Sequence, residues 1–294
     1  LKLINKALKE LRYAAKTFEP FRNKRKVVFF GSARTPSDSE AYRMAERLSM
    51  LIVKQGFQVI TGGGSGIMEA GNKGAKRQNS FSLNIRLPFE QQHNPYISGD
   101  RKAITFKYFF NRKLFFLKES DATVLFPGGF GTMDEAFENL TLIQTGKSKP
   151  RPVILIEPPG SQYWEKWIGF LKEVLAKGGY ISHNDLSLFS HTNDVEKAVD
   201  EILQFYRVYH SMRYAGDKTV IRLNRLLSSE NVKVLNEKYK DILRSGRIEL
   251  SQQPQLSEKV GEKESNSPCL VMDFNRREFG KFHEMVKFLN TLIQ

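Results

Sequence analysis

From Lys26 to about Tyr206 the chain alternates short apolar runs, rich in β-branched and aromatic residues, with longer stretches whose apolar positions recur three and four residues apart. The runs predict strands at 27–30, 57–61, 81–87, 122–126, 153–157 and 188–191, with a short one at 104–106. The longer stretches predict helices at 39–55, 67–78, 108–119, 132–144, 163–177 and 194–206. Strands that alternate with helices imply right-handed crossovers, and hence an α/β fold: a doubly wound parallel sheet, Rossmann-like and three-layered. Ligands in such a sheet bind beyond the C-terminal strand ends.

From about Lys218 the rhythm changes. Strands at 219–223, 247–250 and 269–274, with helices at 229–243 and 279–292, read as a small α+β appendage covering 218–294. The polar stretch 252–268 reads as an exposed connection. Ahead of the sheet, Ile4, Leu8, Leu11, Ala15 and Phe18 follow helical spacing, so residues 1–25 are expected to form an amphipathic helix docked by its apolar side. The expected domains are thus 1–25, 26–208 and 218–294.

Charge refines this picture. The 46 Lys and Arg residues exceed the 32 Asp and Glu by 14, but the excess is unevenly placed. Residues 1–26 carry +7 and residues 209–294 carry +4, leaving only +3 on the long middle. A basic N-terminal helix with a solvated face accounts for this better than a nucleic-acid or membrane arm, and the nearly neutral middle argues against a DNA-reading surface. No apolar run approaches the roughly 18 residues of a membrane span. Cys269 stands alone and the five histidines lack metal-ligand spacing, so neither a disulfide nor a metal is expected, and a cytoplasmic, reducing setting fits. A chain that begins at Leu1 says nothing about a targeting segment.

The glycines fall at predicted strand ends: Gly31-Ser32, Gly62-Gly63-Gly64-Ser65-Gly66, and Pro127-Gly128-Gly129-Phe130-Gly131-Thr132. Any one of them could be just a tight strand-to-helix turn. Three on one sheet edge present open backbone amides and helix N-termini, which attract phosphate. The candidate phosphate contacts are Gly31, Ser32, Gly63, Gly128, Gly129, Gly131 and Thr132. No loop reads GxGxxG or GxxxxGK[ST], and no acidic residue follows the first strand to hold a ribose diol. A mononucleotide or sugar phosphate fits better than a dinucleotide.

Residues 127–135 read PGGFGTMDE and match PGGxGTxxE. With Phe30-Gly31-Ser32-Ala33-Arg34, Thr61-Gly62-Gly63-Gly64, Asn84 to Gln91 and Asn111-Arg112-Lys113, this loop resembles the LONELY GUY, or lysine decarboxylase-like, family and its longer bacterial branch, over about residues 10–207. The resemblance implies a Rossmann-type hydrolase of AMP or cytokinin riboside 5′-monophosphates that needs no cofactor. It implies Arg112 and Glu135 as catalytic residues, with substrate contacts at Glu90, Lys113, Asp134, Thr141 and the Gly128 loop. It also implies a homodimer, and the aromatic stretch 106–117 supplies a physical reason, being apolar around more of a helix than one sheet face covers. Nothing identifies a pyridoxal lysine, so the decarboxylase label is not followed.

The chemistry is coherent with these residue types. Breaking an N-glycosidic bond builds positive charge on ribose and needs a carboxylate to stabilise it or to activate water. Glu135 would supply that carboxylate close to a phosphate held at the helix start, and Arg112 could hold either anion by bidentate hydrogen bonds. Thr132-x-x-Glu135 is equally a capping box, in which the Glu side chain turns back to the helix start. The rival functions are a non-catalytic nucleotide or molybdenum-cofactor carrier on the same scaffold, and a single-strand DNA binder.

Overall fold

In the computed structural model of the chain, residues 1–88, 92–251 and 267–293 are described. Glu90 and most of the predicted connection, 252–266, lie outside them. Contacts gather the chain into two compact units, neither of them one continuous stretch: Leu1–Asn139 with Arg151–Ile168 and Phe189–Val199, and Leu140–Pro150 with Gly169–Leu188 and Asp200–Gln294.

The first unit is built on seven strands: β1 (Lys26–Phe30), β2 (Gln58–Thr61), β3 (Ser80–Ile85), β4 (Ala103–Phe106), β5 (Ala122–Leu125), β6 (Val153–Ile156) and β7 (Ser190–Thr192). All pair in parallel, in the order β4-β3-β2-β1-β5-β6-β7. This is the expected doubly wound sheet. Strands β1, β2, β3, β5 and β6 are buried along their whole length, as befits a sheet covered on both faces by crossover helices. The strand order reverses between β1 and β5, so the chain leaves these two neighbours in opposite directions and opens a crevice above their C-terminal ends.

Helices α2 (Glu40–Lys54), α3 (Ile67–Ala75), α4 (Phe109–Lys118), α5 (from Phe130) and α6 (from Tyr163) follow the strands. Ser39 caps α2, its hydroxyl accepting the Tyr42 N–H, and Glu40 sits in the positive first turn. Helix α1 (Lys2–Phe18) docks on the same unit, with Ala7, Ala14 and Phe18 buried. The Phe18 ring stacks on Phe81, centroids 4.5 Å apart, while Asn111 Nδ2 donates to the Ala7 carbonyl and to Glu10. One expectation fails in detail: Ile4 and Leu8, assigned by spacing to the docked side, are more than half exposed. The small Ala7 and Ala14 let α1 approach closely, and the docked stripe is rotated toward them.

The second unit carries a four-stranded antiparallel sheet ordered β10-β11-β9-β8, from β8 (Tyr209–Ala215), β9 (Lys218–Leu223), β10 (Leu243–Ser251) and β11 (Cys269–Phe274). Helices α7 (Ser229–Tyr239) and α8 (Phe279–Leu289) share one core with it, through Ile221, Leu223, Leu270, Met272, Leu235 and Phe282 among others. Strand β8 has no counterpart in the sequence reading. Its pairing with β9 shifts register between Tyr209 and Ser211, so the buried Tyr209 and Met212 stand three apart and the two-residue alternation is broken.

Candidate functional site

The loops after β1, β2 and β5 are welded together above the switch point. The Ser32 N–H donates to the Pro127 carbonyl at 3.0 Å, the Ile67 N–H to the Ser32 carbonyl at 3.1 Å, and the Ser65 hydroxyl to the Ala33 carbonyl at 2.7 Å. Such contact leaves no room for side chains. A Cβ on Gly66, which has φ +62°, would stand 2.3 Å from the Ser32 carbonyl oxygen. One on Gly128 would stand 2.1 Å from Thr132 Oγ1 and 2.9 Å from the Ser32 nitrogen. Around Gly129 and Gly131, in contrast, the space is open. The start of α5 therefore faces the crevice: the Thr132 and Met133 amides donate back to the Gly129 carbonyl, and the amides ahead of them lie before the first intrahelical bond. Tyr163 fixes the loop from behind, donating its hydroxyl to the Gly128 carbonyl.

The crevice is a cleft of about 850 Å³. Its glycine side is formed by Gly31, Ser32, Gly128, Gly129, Gly131 and Thr132; its apolar side by Phe30, Met68, Ile85, Leu87, Phe109 and Phe116. Arg34, Arg112 and Glu135 bring the only charges among the described lining residues. This size and mixed lining suit a small molecule with one anionic and one apolar end.

Glu135 dominates the electrostatics. Its side chain is 4% exposed, and neither carboxylate oxygen has a hydrogen-bond partner among the described residues. Burial pushes the carboxyl up to about 7 against the pull of Lys113 and Arg112, and the neighbouring Glu138 and Asp134 push the same way as burial. The capping-box reading is thereby overturned: a capping Glu would accept a backbone N–H at the helix start, and this one accepts none.

Arg112 packs its guanidinium over the rings of Phe109 and Phe116, 5.0 and 5.4 Å from their centroids. Its buried Nε has no hydrogen-bond partner among the described residues. Burial lowers its pKa while Glu135 and Asp134 raise it, and the group stays a cation. No ion pair joins it to Glu135 among the described residues. The ion pairs belong to Lys113 instead, whose Nζ lies 2.8 Å from Asp134 Oδ2, 3.6 Å from Glu135 Oε1 and in hydrogen-bond contact with Glu138 Oε2.

The structure thus brings together Gly31, Ser32, Arg112, Gly128, Gly129, Gly131, Thr132 and Glu135 around one cleft. Other expected contacts do not line it. Gly62 lines the cleft where Gly63 was expected, because the Gly63 N–H is turned to the Thr61 hydroxyl at 3.0 Å. Lys113 is occupied by carboxylates, and Asp134 is one of them. Thr141 is exposed and falls in the other unit, its carbonyl accepting the Thr145 N–H and hydroxyl. Glu90 lies outside the described residues. Arg34, Met68 and Asn84 also line the cleft and are not among the expected contacts, although Arg34 and Asn84 stand in segments that carry the resemblance and Met68 lies in the first turn of α3, after the glycine loop of β2.

The profile of a family described as "Possible lysine decarboxylase" matches residues 68–202. A rice protein named as a probable cytokinin riboside 5′-monophosphate phosphoribohydrolase is 30% identical over 163 residues, covering 53% of this chain and 63% of that one. The Mycobacterium tuberculosis cytokinin riboside 5′-monophosphate phosphoribohydrolase is 24% identical, covering 57% and 88%. Over these stretches the chain is similar to the LONELY GUY proteins. An uncharacterized Archaeoglobus fulgidus protein is 35% identical over 98 residues, 33% of this chain, and it and the rice protein are each matched over 63% of their length. Among solved structures, a structural-genomics crystal structure is 26% identical with a TM-score of 0.44, covering 61% of this chain and 99% of the other. The Chlamydomonas reinhardtii molybdenum cofactor carrier protein is 23% identical with a TM-score of 0.43, covering 62% and 98%. No lysine is among the described residues lining the cleft.

Proposed function

We propose that the chain hydrolyses the N-glycosidic bond of a purine nucleoside 5′-monophosphate, AMP or a cytokinin riboside 5′-monophosphate, to the free base and ribose 5-phosphate. The observation that carries this reading is Glu135: a buried carboxyl with no hydrogen-bond partner on either oxygen among the described residues, in a cleft whose other wall is a helix start open around Gly129 and Gly131. An unpaired buried carboxyl opposes folding, so its retention calls for a ligand. The α5 amides with Gly129 and Gly131 suit the 5′-phosphate, and the apolar wall suits the base.

In this reading the C1′–N bond breaks as water adds its oxygen to C1′ and a proton reaches the departing base. Ionised Glu135 faces the ribose, where it stabilises the developing cation or takes the proton of the attacking water. Arg112, stacked on two rings and with its Nε lacking a hydrogen-bond partner among the described residues, is free to hold the phosphate in register. Names of relatives give the same substrate class, and the cleft geometry supports it independently.

The test is release of base, followed by chromatography, from AMP, N6-prenylated AMP, other nucleoside monophosphates and adenosine. Base is expected from the monophosphates, far more slowly from adenosine, and at least about 10²-fold more slowly with Glu135→Gln. Because the carboxylate form is the working one, kcat/KM should rise with pH through about 7. Tight binding of the nucleotides with no base released would establish the carrier reading instead.

A further inference from the structure

Lys113 is implied by the family resemblance to touch substrate, yet it faces three carboxylates of α5. Asp134 and Glu138 stand four residues apart on one helical stripe, where like charges repel unless a cation bridges them. Lys113 bridges them, 2.8 Å from Asp134 Oδ2 and hydrogen-bonded to Glu138 Oε2. Both acids are more open to water than Glu135, their side chains being 58% and 31% exposed, so pairing them costs less desolvation. Glu135 lies one position over, with Oε1 3.6 Å from the same ammonium. That separation is beyond a hydrogen bond, and a movement of less than about one ångström would close it.

We propose that Glu138 is a positioning residue: together with Asp134 it pins Lys113 to the outer stripe of α5, which keeps its ammonium beyond hydrogen-bond reach of Glu135 and leaves that carboxyl presented to the cleft. Lys113 is then part of a pincer around the carboxylates rather than a ligand for the substrate. Every charged group that faces Glu135 enters this balance: Arg112 and Lys113 from α4, and Asp134 and Glu138 from its own helix. Removing Glu138 subtracts a negative neighbour and frees Lys113 to swing onto Glu135, and both changes favour the ionised carboxylate. Removing Lys113 does the opposite.

The inference rests on Glu135 being the working carboxylate, and its test separates the two ideas. Protein labelled with ¹³C at the Glu carboxyl carbons is titrated by NMR without substrate, and the Glu135 signal is assigned by its loss in Glu135→Gln. Glu138→Gln should move the Glu135 titration to lower pH by about one unit, Lys113→Met should move it to higher pH, and the double variant should fall between. In base-release assays the rising limb of kcat/KM against pH should move with it, whereas a merely structural role would lower activity equally at all pH values. A Glu135 titration that is the same in wild type and in both folded single variants overturns the pincer. A shifted titration without base release from any nucleotide leaves the pincer standing and removes the nucleosidase reading.

Discussion

A carboxyl group that is buried and accepts no hydrogen bond opposes folding in its ionised form, and Glu135 meets both conditions among the described residues. With its carboxyl raised from 4.5 to about 7, the folded protein favours the protonated form. The resulting stability is fully present below the unfolded value and is lost as pH rises through about 7. The difference is on the order of 2–3 kcal/mol at high pH. Glu135→Gln should therefore raise the melting temperature by several degrees near pH 8 and leave it almost unchanged near pH 4.5, while activity falls near pH 8, where the wild-type carboxylate is ionised. Lower stability of the variant at both pH values would show that the side chain supports the fold. The motif around Glu135 was legible because glycine spacing is a local property of the chain. Its unpaired state was not, since the rival capping box uses the same letters and only geometry tells whether the carboxylate reaches a backbone amide.

At the scale of elements, period carried most of the reading and failed where period is disturbed. All seven strands of the parallel sheet have a predicted counterpart, the interior ones because buried parallel strands are rich in apolar residues, β7 (Ser190–Thr192) only through the end of the run at 188–191. The last turns predicted for the helix at 163–177 are instead a wider π turn, Leu171–Ala176, which leaves a side-chain pattern close to that of an α-helix. Helix α1 shows the same limit: spacing identified an amphipathic helix but not which third of its broad apolar face would dock. Phe18 is the anchor, 1% exposed and stacked on Phe81 and Phe115. Phe18→Ala should lower stability by about 3 kcal/mol and release residues 1–18 to limited proteolysis. Leu8→Asp, at a position 57% exposed, should do neither in a monomer. Equal effects of the two substitutions in isolated subunits would refute the docking face described above.

For the molecule as a whole, the question is what covers the apolar surface that the fold leaves outside. On α4, Phe109, Phe110 and Leu114 are each about half exposed, and on α1, which packs against it through Asn111, Ile4 and Leu8 are exposed as well. Two helices in mutual contact that both turn apolar residues outward are a surface of the kind that subunits bury, and closed two-fold pairing is its commonest form. We propose the homodimer that the family resemblance implies, formed through this surface. The same helix α4 carries Arg112 and lines the cleft with Phe109 and Phe116, so an interface there would brace the cleft wall. Light scattering at micromolar concentration should give at least twice 33.8 kDa. Phe110→Asp and Leu114→Asp touch neither the cleft lining nor the buried core, so a fall in mass toward that of one chain, with base release falling in parallel and secondary structure intact, is the expected result. Dissociation without loss of activity would confine the role of the surface to assembly, and a fully active wild-type monomer would show that these side chains face water without a partner.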